Sequence, residues 1–239
     1  MAGSSAPGGH DIAGDARGPV PIVIAEGVGR SFGDLVVLKD LDFALNPGEF
    51  VAIVGKSGCG KSTLLSILGT HDLGFTGSLA VDGVDVAAAS RPELSRIRRE
   101  VIGFVFQDFH LLPNLSPLEN VLLPAVFSGL DDQPRIESAR QSLLYMGIRV
   151  QDQPSSLLSR GERQRVAVAR GLQGRPRVLL ADEPTASLDE QTETMLFDML
   201  DSLRREQGFA LLSVVHSTRV LDRADRVLEL QGGKLRESH

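Results

Sequence analysis

Phe50-Val51-Ala52-Ile53-Val54 runs directly into Gly55-Lys56-Ser57-Gly58-Cys59-Gly60-Lys61-Ser62-Thr63. Five apolar residues between the turn-forming Asn46-Pro47-Gly48 and a glycine read as a buried strand, and a helix is predicted from about Gly60 to Gly69. The segment between them fits G-x-x-x-x-G-K-[ST], and it lies in the strand–turn–helix context that gives this pattern its meaning. Glycines let the backbone curl so that successive N–H groups point inward at phosphate oxygens, and the helix N-terminus adds partial positive charge. Lys61 is then expected at the β and γ phosphates of a nucleotide, and the Ser62 hydroxyl at Mg²⁺. Gly55, Ser57, Gly58, Cys59, Gly60 and Thr63 complete the nucleotide-binding loop. Cys59 occupies a variable position, where a small residue that fits is favoured over a redox group.

Further along, Val178-Leu179-Leu180-Ala181-Asp182-Glu183 is a second apolar strand, ending in an acidic pair. Asp182 at such a strand end can bind the Mg²⁺ hydration shell, and Glu183 can polarise an attacking water. Residues 190 to 206 carry apolar positions at helical spacing, whereas Phe209 to Val215 and Arg226 to Leu230 return to strand character. The middle, roughly 92 to 173, reads as mostly helical, with Pro117 opening one segment and Pro134 another. Strands alternating with helices predict a largely parallel sheet covered on both faces.

Composition narrows the function classes. Lys plus Arg number 25 against 31 Asp plus Glu, for a net charge of -6, which argues against a protein built to grip nucleic acid. A single cysteine forms no internal disulfide, no charged start followed by an apolar run marks a secretory signal, and no apolar run is long enough to span a membrane. A cytoplasmic location is expected, with any membrane contact supplied by another chain. Residues 1 to about 20, rich in Gly, Ala, Ser and Pro, are read as a flexible leader, and 21–239 as one domain.

Leu158-Ser159-Arg160-Gly161-Glu162-Arg163-Gln164-Arg165, followed by VAVARGL, resembles the signature segment of ABC ATPases. Ala181-Asp182-Glu183-Pro184-Thr185 with Ser187-Leu188-Asp189 is similar to that family's Walker B motif and D-loop. Gln107 in FVFQD resembles its Q-loop, and His216 in SVVHS its switch histidine. The resemblance extends from Ile22 across almost the whole chain. It implies an α/β P-loop NTPase with a RecA-like parallel-sheet core, an antiparallel β subdomain and a helical subdomain at roughly 108–173.

The resemblance also implies a head-to-tail dimer with two ATP molecules sandwiched at its interface, each site shared between subunits. Ser159, Gly161, Glu162 and the start of the following helix would face the partner's phosphate loop. Gln107 would ligate Mg²⁺ and couple it to the helical lobe, His216 would touch the γ-phosphate, and Asp189 would connect the two sites. Phe32 stands where the family stacks adenine on an aromatic, with Val37 beside base and ribose; Phe keeps the stacking face and loses the more usual tyrosine's hydroxyl. Glu183, His216, Gln107 and Lys61 are the catalytic candidates; Ser62, Gln107 and Asp182 are the metal candidates.

Arg160 departs from the family's glycine at that position. It could point to solvent, add a charge contact to phosphate, or weaken the site. The stretch Asp108 to Val121 is expected to form a groove for an integral membrane permease, with Phe109, Leu111 and Leu112 partly exposed, unless those side chains are buried in the helical lobe. The wording LLPNLSPLENVLLP is similar to the ATPases of lipoprotein-release, macrolide-export and cell-division systems. Two readings follow: export or extraction of a hydrophobic, peptide or lipoprotein-like substrate, or a cell-envelope role without translocation. A GTPase would need an N-K-x-D base-reading motif, which is absent.

Overall fold

The computed structural model describes residues 20–126, 133–185 and 188–238; residues 1–19 of the predicted leader and Ser187 of the D-loop lie outside them. The chain opens with β1 (Val23–Phe32) and β2 (Leu35–Leu45), an antiparallel pair that reaches the buried strand β3 (Phe50–Val54). Helix α1 (Lys61–Leu68) follows the glycine-rich turn, then β4 (Thr76–Val81), β5 (Val84–Asp85) and α2 (Arg91–Arg96). Beyond a π-helical turn at Ile97–Val101 come β6 (Ile102–Val105) and three helices, α3 (Pro117–Val126), α4 (Gln133–Tyr145) and α5 (Arg160–Leu172). The chain continues with β7 (Val178–Asp182), α6 (Glu190–Gln207), β8 (Ala210–Val214), the short α7 (Thr218–Leu221), β9 (Arg226–Gln231) and β10 (Lys234–Glu237).

Two sheets result. A four-stranded antiparallel sheet has the order β2-β1-β4-β5, and a six-stranded sheet the order β10-β9-β3-β8-β7-β6. In the second, every pair from β9 to β6 is parallel, and β10 adds an antiparallel edge. Period-2 alternation explains why the central strands are apolar without interruption: each buries both faces. Val51, Ile53, Val178, Leu180, Leu212 and Val214 join α1 and the antiparallel sheet in one core. Phe50, Ala52, Leu179, Ala181 and Leu211 join α3, α4, α5 and α6 in the other. Phe50 stacks on Phe197 at 6.2 Å between centroids, tying β3 to α6.

The middle region is mostly helical as expected, with one strand inside it that the sequence did not reveal. Within the span read as mostly helical, Ile102-Gly103-Phe104-Val105 is a sheet strand. Four residues are too few for a periodic signal, and the charged helical turns before them carry the eye past. Gly103 has a packing role, because its backbone lies against that of Gly171 in α5. Pro117 is the first residue of α3 and Pro134 sits in the first turn of α4, as the missing N–H of proline favours. Among the described residues no helix is long and apolar enough to cross a membrane.

Candidate active site

The segments following β3, β8, β7 and β6 meet at one edge of the parallel sheet, where all four strands point their carboxyl ends. That edge is where an open α/β sheet leaves a crevice for ligands. The glycine turn follows β3, Gln107 comes two residues after β6, Asp182 ends β7 with Glu183 directly after it, and His216 comes two residues after β8. A cleft of about 330 Å³ is lined there by Val37, Ser57, Gly58, Gly60, Lys61, Ser62, Thr63, Gln107, Glu183 and His216. The order of the parallel strands brings the lining residues between Ser57 and His216 into one cavity, and Val37 joins them from β2 of the other sheet.

The turn is shaped for an anion. Gly55 has φ 151° and Gly60 φ 107°, and a Cβ at either would stand 2.7 Å from a neighbour, the Leu230 carbonyl oxygen and Val37 Cγ1 respectively. Gly60 caps α1 with no side-chain hydrogen bond and no acidic residue in the first turn, so the first N–H groups of the helix remain for a ligand. Lys61 is buried, with Nζ donating to the carbonyls of Gly55 (2.9 Å) and Lys56 (3.1 Å). Those bonds hold its charge across the mouth of the turn. Cys59 is a partly buried free thiol packed against the core beneath the loop.

Glu183 is the focus of the cleft. It adopts φ 46°, a conformation that costs a non-glycine residue about 1–3 kcal/mol and persists where surroundings impose it. His216 Nε2 lies 2.6 Å from Glu183 Oε1, and Gln107 Nε2 donates to Oε2 at 3.2 Å. Both carboxylate oxygens are thus oriented from opposite sides. Beside it, the Asp182 carboxyl is pushed above its ordinary pKa by burial, with the Ser62 hydroxyl and then the Lys61 charge acting the other way. Asp182 Oδ1 is buried and has no hydrogen-bond partner among the described residues.

The signature residues stand apart from this cleft within one chain. Ser159 caps α5, and the Glu162 carboxylate closes a capping box, accepting from Ser159 N at 2.8 Å and from Ser159 Oγ at 2.6 Å. These bonds hold the Glu162 carboxyl below its usual pKa. Gly161 leaves the first turn of α5 uncluttered, with no atom within 3.6 Å of where a Cβ would be except those at its limit, Arg165 and Leu188. Asp189 caps α6 in the same manner, accepting from Thr192 N at 3.0 Å. Phe32 is also outside the cleft lining; it projects half-exposed from the end of β1.

Arg160 folds back onto its own chain. Its guanidinium carbon lies 5.8 Å from the centroid of Phe109, and that of Arg163 lies 5.9 Å away. Phe109 and His110 both have positive φ, and Arg170 donates to both of their carbonyls. Phe109 and Leu111 are partly buried, Leu111 packing on the second core, while Leu112 is 49% exposed. The partial exposure expected of these three side chains is present in all of them, and is greatest at Leu112.

Sequence reasoning missed Arg30, whose guanidinium covers a face of the Phe32 ring, and the acidic wall beyond Glu183, where Thr185, Glu190, Glu193 and Arg219 line a neighbouring cavity of about 450 Å³. Neither left a motif; both arise from elements that meet only in the folded chain.

Comparison with known proteins agrees with this geometry. The family model described as ABC transporter matches residues 38–186. The lipoprotein-releasing system ATP-binding protein LolD of Nitratidesulfovibrio vulgaris is 45% identical over 225 residues, covering 92% of this chain and 96% of that protein. The macrolide export ATP-binding/permease protein MacB 1/2 of Paracoccus denitrificans is 42% identical over 221 residues, which is 90% of this chain and 33% of that one. A dimeric structure of a bacterial ABC transporter cassette superposes with a TM-score of 0.84 at 35% identity, covering 90% of this chain and 97% of the other. The post-hydrolysis dimer of the same cassette, bound to ADP and Pi, gives 0.83 at 35% identity over the same shares. This chain belongs to the ABC transporter family, as one of its ATP-hydrolysing nucleotide-binding subunits.

Proposed function

We propose that the chain drives a separate membrane permease by closing and opening a head-to-tail dimer around two ATP molecules, so as to export or extract a hydrophobic or lipid-modified substrate. The observation that carries the catalytic part is Glu183, its two oxygens held by His216 and Gln107 beside the anion-shaped turn. In this reading Glu183 aligns and polarises water, Lys61 and the N–H groups from Gly55 to Thr63 stabilise phosphate charge, and His216 changes partner from Glu183 to the γ-phosphate. Phosphoryl transfer asks little covalent work of a protein, so positioning and charge suffice.

The residues present also fit Mg²⁺. Ser62, Gln107 and the unpartnered Asp182 Oδ1 form an all-oxygen donor set, and no chelating cluster of His, Cys, Asp or Glu occurs among the described residues. Such a sparse set suits an ion that keeps waters and substrate phosphates as its other ligands. When bound, the ion would neutralise charge on the β and γ phosphates.

The signature end of α5, with Ser159, Gly161 and Glu162, is assigned to the partner subunit's nucleotide, and Asp189 to the link between the two sites. Support comes from their position outside the cleft of their own chain and from the dimeric cassettes to which the fold is similar. Because Arg160 leans on Phe109, it is not needed as a phosphate contact: Arg160→Gly is expected to leave the ATPase rate within about twofold, and a tenfold fall in a steady-state assay would assign it to the partner's site.

The membrane reading is supported by the names of the relatives and by the exposed Leu112 beside the Gln107 loop. The chain would lie at the inner face of the membrane through that permease, with residues 21–239 as the working unit and the helical lobe at roughly 108–173. The test uses proteoliposomes carrying the permease and a lipid-anchored protein. Mg-ATP should release the anchored protein with wild type and not with Glu183→Gln. ATP turnover with no release would instead favour the cell-envelope reading, in which the cycle signals to a membrane partner without translocation.

A further inference from the structure

We propose that Arg30 is a positioning residue for the adenine platform, clamping Phe32 from one side so that the base stacks only on the other. The inference rests on the reading of Phe32 as the aromatic that carries adenine.

The clamp is built from four contacts. The Arg30 guanidinium carbon stands 4.2 Å from the Phe32 ring centroid, inside the range of a strong cation–π contact. Its Nε donates to Asp72 Oδ2 at 2.8 Å, with both side chains about one-fifth exposed. Its NH1 donates to the Ser31 carbonyl at 3.2 Å. On the remaining side lies the backbone of Gly74: a Cβ there would come 2.7 Å from NH1 and 2.9 Å from Cζ, so the guanidinium packs against a position only glycine leaves open. Gly74 N in turn donates to Asp72 Oδ1 at 2.8 Å, so one carboxylate fixes both the arginine and the backbone behind it.

The consequence is a ring held on an edge that would otherwise move. Phe32 ends β1 beside a two-residue turn and is half-exposed. A guanidinium tied to Asp72, downstream of α1, links the platform to the element whose N-terminus receives the phosphates. Ring and phosphate loop are thereby held at one spacing before the nucleotide arrives, which lowers the ordering cost of binding. The cation also draws ring π density toward itself. Because stacking on an aromatic face tolerates any base, the effect extends to other purine nucleotides.

The test compares a ligand that uses the platform with one that does not: ATP and inorganic triphosphate, titrated against the full chain. Arg30→Gln keeps length and polarity and removes the cation. It is expected to weaken ATP about two- to fivefold, to leave triphosphate affinity unchanged, and to raise KM without changing kcat. Arg30→Lys should recover part of the loss, and Asp72→Asn should show part of it. Equal weakening of ATP and triphosphate would reduce Arg30 to a structural residue and overturn the proposal. Tighter ATP binding would overturn it differently, by showing that Arg30 covers the face the base needs. Phe32→Ala separates the two levels: if it leaves ATP affinity unchanged, the platform reading itself fails.

Discussion

Replacing Glu183 by Gln lowers kcat for ATP hydrolysis by about 10²–10⁴-fold, the range that a positioned general base supplies, and leaves ATP affinity within about twofold. The amide has the same size and still accepts at one atom, so the left-handed turn at position 183 and the Gln107 contact survive. What is lost is the carboxylate charge that polarises water and one of the two acceptor oxygens, of which Oε1 lies 2.6 Å from His216 Nε2. Binding is spared because phosphate affinity is assigned, in the proposed function, to Lys61 and the N–H groups of the turn, and Lys61 Nζ is held by the Gly55 and Lys56 carbonyls, not by Glu183. Steady-state turnover and equilibrium nucleotide titration check the two halves separately. A variant that hydrolyses within tenfold of wild type would remove Glu183 from the chemistry.

The second large effect is on stability. Gly103→Ala would place a methyl group 2.1 Å from the Gly171 carbonyl oxygen and 2.9 Å from Pro176 Cγ. The nearer obstacle is helix backbone, which cannot swing aside as a side chain can, so β6 or α5 must move bodily. Overpacking of this kind costs about 3 kcal/mol, which for a domain of this size lowers Tm by about 6–12 °C in a thermal melt. The displacement reaches the site, since Gln107 lies four residues further along, and ATPase activity at permissive temperature should fall with it. An unchanged Tm would mean that β6 and α5 are less tightly apposed than they are here.

The central strands and the phosphate turn were legible in the sequence because local chemistry imposes them. Phe50–Val54 needs two buried faces, and Gly55, Gly58 and Gly60 supply backbone angles that side chains resist. β6 was not legible: a four-residue strand containing glycine takes its conformation from β7 and α5, which lie some seventy residues away. Lys61 and Glu183 were readable from the glycine-rich turn and the acidic strand end, and Gln107 and His216 by resemblance, whereas the contacts joining Glu183, Gln107 and His216 depend on strand order and appear only in the fold. Arg160 and Arg30 show the limit most clearly. An arginine's partner in sequence is invisible, and each proves to lie on a phenylalanine, Phe109 and Phe32 respectively.

The central claim is that each ATP is held between two copies of this chain and that assembly gates hydrolysis. Ser159, Gly161 and Glu162 do not line the cleft of their own chain, and in the proposed reading they complete the partner's site. The most direct test is the mass of the Glu183→Gln chain in solution, with and without Mg-ATP, since this variant should bind and stall. Mg-ATP is expected to convert monomer to dimer, with ADP leaving it monomeric. A variant that binds ATP with wild-type affinity yet stays monomeric at all concentrations would contradict the shared-site account.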